Sequence, residues 1–158
     1  MSTEGRISAS RALLYGTLAV GVLDITDAFV FFWLRSGVRP IRILQSVAAG
    51  LLGRASFSGG WRTAALGLAL HFFIAFVVVL VFLLASRVLP VLTRHAIPAG
   101  LLYGIAVYLT MTFVVVPASA AGGGVPPWPV ALNGVLIHMF GVGLPAALAA
   151  RAADPLVR

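Results

Sequence analysis

Cysteine does not occur in this 158-residue chain. Its absence excludes disulfides, thiolate metal sites and iron–sulfur clusters, and leaves the compartment open. Lysine is missing as well: all eleven basic residues are arginine. Acidic residues number four, and charged residues of both signs make up only 9% of the chain. Soluble domains carry about 25%. So little charge cannot coat a globule in water. With 61% hydrophobic residues and a mean hydropathy of +1.08, the solvent that suits this chain is a bilayer. No extramembrane stretch is long enough for a folded catalytic domain. The net charge of +7 would suit nucleic acid if it lay on one polar face. Here the arginines punctuate apolar runs, as expected of loops beside anionic lipid headgroups. Nucleic acid is therefore not an expected partner.

About 20 apolar residues cross the hydrocarbon core at 1.5 Å each. Four segments qualify, roughly 12–34, 64–86, 97–119 and 130–150. The start of the first has the outline of a signal peptide, with Arg6 and Arg11 ahead of Ala12 to Leu23. The apolar run continues to Leu34 without an A-x-A site, so it reads as a retained span. Arg11 and Arg35 flank the first span, and Arg62 and Arg87 the second. Pro98 suits an early turn of the third, and Pro117 marks its end. Pro129 opens the fourth and Arg151 closes it. Only helices satisfy their backbone across lipid in such segments. The expected fold is an all-α membrane protein, one transmembrane domain built as a four-helix bundle.

An up-down-up-down path places Trp33, Trp61 and Trp128 on one membrane face, here face B. Tyr15 and Tyr103 fall near the opposite face A. Both residue types favour the interface, where one end of the ring is apolar and one edge is wet. Face A would carry Arg6, Arg11, Arg87, Arg94, Arg151 and Arg158. Face B would carry Arg35, Arg39, Arg42, Arg54 and Arg62. This near balance leaves the positive-inside rule undecided. The charge-free third loop, PASAAGGGVPPWP, favours face B outside and both termini in the cytoplasm. The arginine-rich first loop argues the reverse.

Between the first two spans, residues 40–53 (PIRILQSVAAGLLG) put Ile41, Leu44, Ala48, Leu51 and Leu52 on one helical face. Arg42, Gln45, Ser46 and Ala49 fall mostly on the other. This pattern predicts a short amphipathic helix lying in the interface. The competing reading is a re-entrant or buried piece packed on the bundle.

Two patterns recur in the same order. LLYG stands at 13–16 and at 101–104, and G-x-x-x-H-x-F at Gly67, His71, Phe73 and at Gly134, His138, Phe140. The copies lie 88 and 67 residues apart. The difference of 21 is approximately the interfacial connector, which only the first hairpin has. A duplicated two-helix hairpin would produce this order, as would coincidence in a Leu/Gly-rich alphabet. The alignment sets Asp24 opposite Thr112 and Asp27 opposite Val115, so the acids belong to one hairpin only.

Asp24 and Asp27 are the two acidic residues inside an apolar run. Each charged Asp at a helix centre costs roughly 2.5–3.5 kcal/mol on insertion scales. They lie one turn apart on a shared face, with Thr17 seven residues before Asp24. Counting 1.5 Å per residue, His71 and His138 fall at nearly the same depth. Tyr108 and Thr110 would approach from the third span and Asn133 from the fourth. Three chemistries would use the set. Asp and neutral His would relay a proton. Two carboxylates and two imidazoles would bind a divalent metal. His71 and His138 would ligate a haem, a reading that the two acids at the same depth and the Phe beside each His oppose. The plain alternative is hydrogen bonding between helices. No cofactor is expected on balance. Gly100 and Gly104 form G-x-x-x-G, which favours close helix approach within the bundle or between protomers. His95, beside Arg94, reads as a solvated interface residue.

Three stretches, D-I-T-D at 24–27, R-I-L-Q-S-V-A-A-G-L-L-G at 42–53 and H-F-F-I-A-F at 71–76, resemble a class of small uncharacterised bacterial four-span membrane proteins. The likeness implies a multi-pass protein of the bacterial inner membrane and brings no activity with it. From the residues themselves, the leading functional reading is a small transporter or proton- and ion-handling protein. The others are an accessory subunit in a larger complex or homo-oligomer, and a metal- or haem-binding protein. Catalysis is the less expected outcome.

Overall fold

The computed structural model describes residues 7–154; Arg6 and Arg158, assigned above to face A, lie outside them. Among the described residues the regular structure is helical, and four helices are long and apolar enough to cross a membrane. The elements are α1 (Ala9–Ser36), α2 (Pro40–Leu52), a 3-10 segment (Gly53–Ser58), α3 (Gly60–Val88), the short α4 (Val91–Arg94), α5 (Ala96–Ala118) and α6 (Trp128–Ala153). The chain is a polytopic membrane protein whose spans are α1, α3, α5 and α6.

The spans overrun their expected bounds at most ends. A helix of 28 residues is about 42 Å long, against about 30 Å of hydrocarbon, so its ends reach the headgroups. Local chemistry sets those ends. Ser8 Oγ accepts from the Arg11 N–H to open α1. Gly37, at φ 65°, closes it with its N–H on the Trp33 carbonyl. Arg35, Arg87 and Arg151 stand in last turns, against the negative ends of their helix dipoles. Trp33, Trp61 and Trp128 are all largely exposed.

The second half of α6 is the hub, packing on α1, α3 and α5. Lipid tails are as apolar as leucine, so association inside a bilayer depends on close packing rather than on escape from water. Small residues provide it. Ala12, Ala146 and Ala147 have no exposed surface. A Cβ on Gly104 would strike the His138 carbonyl, and one on Gly143 would strike the backbone of Gly100 and Gly104. Here α5 and α6 touch backbone to backbone. By contrast α3 and α5 stay apart along most of their length. Tyr103 bridges them: its hydroxyl donates to the Val78 carbonyl at 2.7 Å, and its ring meets Phe82 edge-on at 5.0 Å. Tyr103, expected near face A, thus gives its hydroxyl to a carbonyl on the facing helix. Tyr15 does stay outside, at 55% exposure.

Helix α2 is present, but it is docked on the bundle and its faces differ from the expected ones. Gln45 is 3% exposed; its Nε2 donates to the Gly60 carbonyl at 3.1 Å. Ala48 and Ala49 are buried beside it, whereas Leu51 and Leu52 turn outward. The reason is steric and polar together. The Leu44 carbonyl lies against Gly67, where no Cβ would fit, and this contact turns Gln45 onto the start of α3. Arg42 donates to the Phe57 carbonyl at 3.0 Å and sits over the Phe57 ring. The Ala120 N–H donates to the Gly50 carbonyl, joining α2 to the third loop.

Two irregularities have no counterpart in the sequence pattern. In α5 residues Met111–Val115, and in α6 residues His138–Gly143, wind as π-helix. Such segments occur often at functional sites.

The glycine contacts give a direct test. Gly104→Leu should destabilise the protein by at least about 1–3 kcal/mol, the usual range for overpacking, because the obstacle is backbone. Gly124→Ala, with nothing within 4 Å of its added Cβ, should leave thermal unfolding in detergent unchanged. Equal melting temperatures for both variants would refute close α5–α6 packing.

Candidate functional site

A cavity of about 500 Å³ opens in the gap between α3 and α5. Val20 and Asp24 of α1 and His138 and Val142 of α6 form its back wall. Ser46 and Gly50 of α2 and Ser119 lie at its face-B end. Its sides are His71, Ile74 and Val78 on α3 and Val107, Met111 and Val115 on α5. Both π segments contribute to this wall. The gap exists because α6 holds α5 by glycine contacts while Tyr103 keeps α3 at side-chain distance.

Asp24 and His71 meet in this cavity. His71 Nε2 lies 2.8 Å from the Gly21 carbonyl oxygen. A carbonyl only accepts, so Nε2 carries a proton. Nδ1 then faces the Asp24 carboxylate, 3.9 Å from its Oδ2. That is ion-pair range and beyond a direct hydrogen bond. Transfer between them therefore needs a side-chain rotation or a bridging water. With Nδ1 bare and Asp24 ionised, a lone pair would oppose a carboxylate in a low-dielectric setting. One added proton, on either group, makes the pair neutral overall. Uncompensated charge is costly in this environment. His71 is the more enclosed partner, with 11% of its side chain exposed against 25% for Asp24.

The other residues divide. His138 lines the same cavity, but its Nδ1 donates to the Gly134 carbonyl of its own helix at 2.8 Å. The two histidines thus have opposite tautomers and different partners, so the pattern shared in sequence is not shared in hydrogen bonding. Asp27 meets Asn133, whose Nδ2 donates to its Oδ2 at 2.7 Å. Both line a second cavity of about 470 Å³, on the face-B side, together with Gly124 and Pro126 of the third loop. Asp24 and His138 border both cavities. Tyr108 is buried, with its ring against Gly134 and edge-on to His138 at 5.5 Å. Thr110 faces outward along α5, and the Thr17 hydroxyl is enclosed without a hydrogen-bond partner among the described residues. His95 is exposed.

Among the described residues no three His, Asp or Glu side chains converge as a metal site would require. A haem between the histidines would have to take His71 through Nδ1, the nitrogen that faces Asp24, because Nε2 is committed to Gly21. Ser46, Ser119 and Met111 line the cavity but carried no signal in the sequence beyond polarity or helix position. The placement of α2 over the gap is what brings Ser46 in.

The Asp27–Asn133 contact is measurable by itself. A double-mutant cycle with Asp27→Ala and Asn133→Ala should give a coupling of about 0.6–1.7 kcal/mol, the range for hydrogen bonds between membrane helices. Additive losses on unfolding would show that the two side chains do not interact. Comparison of the chain with protein-family models, with curated proteins and with solved structures gives no match, so the functional reading rests on the chemistry of the site.

Proposed function

We propose that this protein is a small proton- or cation-handling transporter in which Asp24 and His71 carry the labile proton. One observation carries the reading: Asp24 faces a histidine whose other nitrogen is pinned by a carbonyl, in a cavity that no arginine among the described residues lines. Nothing there holds a permanent positive charge against the carboxylate. Its compensation must be mobile, a proton or a bound cation. Asp24 and His138 border both cavities, so a proton arriving from face B past Asp27 and Asn133 reaches Asp24 at the wall of the α3–α5 cavity. Asp27 and Asn133 act as positioning residues at that entrance.

In this reading the protein belongs to the bacterial inner membrane. Both termini face the cytoplasm, and its loop arginines meet anionic headgroups. The charge-free third loop supports that orientation. In proteoliposomes carrying a pH gradient, Asp24→Asn should lower proton flux at least tenfold with expression and monodispersity preserved, and Asp27→Asn should lower it less. Normal flux in both variants would overturn the proposal. Absent flux together with a stoichiometric partner in mild detergent would favour an accessory subunit instead.

A further inference from the structure

The cavity has an unusual approach. On its membrane side it runs into an apolar groove of about 390 Å³ between the same two helices. The groove and the cavity share Ile74, Val78, Val107, Met111 and Val115. At the outer rim stand Phe73, Val77 and Val81 of α3, which are 62%, 39% and 48% exposed. These helices span the bilayer, so that rim faces lipid. Toward face A the groove ends at Tyr103, which is bonded to Val78, and toward face B the cavity behind it is capped where α2 meets the third loop. Its open side is lateral.

The inner end is acidic. Asp24 lines it, and the titratable groups nearest that carboxylate are Asp27 on its own helix, His71 from α3 and His138 from α6; Tyr108 of α5 borders the adjoining face-B cavity beside His138. Among the described residues no arginine lines the cavity, the groove or the face-B cavity. An anion would meet a carboxylate with no fixed cation to offset it. A small metal cation requires several oxygen ligands, about six to eight for Ca²⁺. The cavity offers one carboxylate and the hydroxyls of Ser46 and Ser119 as side-chain oxygens. An organic cation requires less: one carboxylate for its charge and apolar walls for its body. The volume of about 500 Å³ falls in the range of roughly 300–1,000 Å³ that small-molecule sites occupy.

We propose that the cleft between α3 and α5 admits an amphiphilic organic cation from the lipid, with its charged centre paired to Asp24 and its apolar body along Ile74, Val78, Val107 and Met111. The proposal rests on the proton-handling reading and names its substrate class. The cation and the proton compete for one carboxylate. Binding of the cation displaces the proton shared with His71, and protonation releases the cation.

The test uses the full-length protein in detergent and in liposomes, with tetraphenylphosphonium as probe and tetraphenylborate as its anionic counterpart of the same shape. Tetraphenylphosphonium should bind saturably and weaken as pH falls. Asp24→Asn should weaken it at least tenfold. Ala106→Trp, which fills the groove from the lipid side without touching a carboxylate, should do likewise. Tetraphenylborate should bind no better than it does to protein-free micelles. Equal uptake of both probes would mark simple hydrophobic occupancy and overturn the proposal, as would tetraphenylphosphonium binding that neither substitution alters. Asp24-dependent proton flux without tetraphenylphosphonium binding would overturn the substrate class and leave the proton-handling reading standing. Loss of both signals in the unmodified protein would remove both.

Discussion

A carboxylate held in an apolar slab, with no arginine among the described residues lining its cavities, is the constraint around which the middle of this bundle is arranged. Asp24 meets His71, Asp27 meets Asn133, and His138 closes the far wall through a ring fixed by its own helix. Each of these side chains comes from a different span or a different turn, so their meeting depends on how the spans pack. Backbone contact at Gly104 and Gly143 holds α5 to α6, while Tyr103 keeps α3 from closing on α5. Close packing on one side and a spacer on the other leave a compartment at the depth of the acids.

Much of the architecture was legible because lipid imposes it. Twenty apolar residues with arginine or tryptophan at the ends leave little choice but a spanning helix, and the four spans lie where hydropathy puts them. Depth was legible for the same reason, since rise per residue converts position into height. What the pattern does not encode is rotation about each helix axis. Hydrophobic periodicity reports a face in water, but in lipid both faces are apolar. Position therefore set Asp24, Asp27, His71 and His138 at one level without saying that Asp27 would turn to Asn133 and Asp24 to His71. The outward turn of Leu51 and Leu52 has a related cause: in α2 a buried glutamine with a carbonyl partner outweighs an apolar stripe that lipid can solvate.

The repeated motifs show how sequence likeness and structural role separate. Gly67 and Gly134 occupy matching positions, yet one receives the Leu44 carbonyl of α2 and the other the ring of Tyr108. His71 bonds across to α1, and His138 bonds within α6. The connector helix exists in the first half only, and it packs on α3 at Gly67, whereas α6 at Gly134 meets Tyr108 of α5 instead. The π segments follow no residue pattern either. They lie where α5 and α6 line the cavity, and widening a helix there is a local adjustment of backbone that composition does not announce.

The account turns on one proton shared between Asp24 and His71, and nitrogen-15 NMR of histidine-labelled protein in bilayers reads it most directly. The predicted spectrum has His71 protonated at Nε2 and His138 protonated at Nδ1. The His71 Nδ1 resonance should move when Asp24 is replaced by Asn while the His138 signals stay fixed. A His71 Nδ1 signal unaffected by Asp24→Asn, or a bare Nε2, would contradict it.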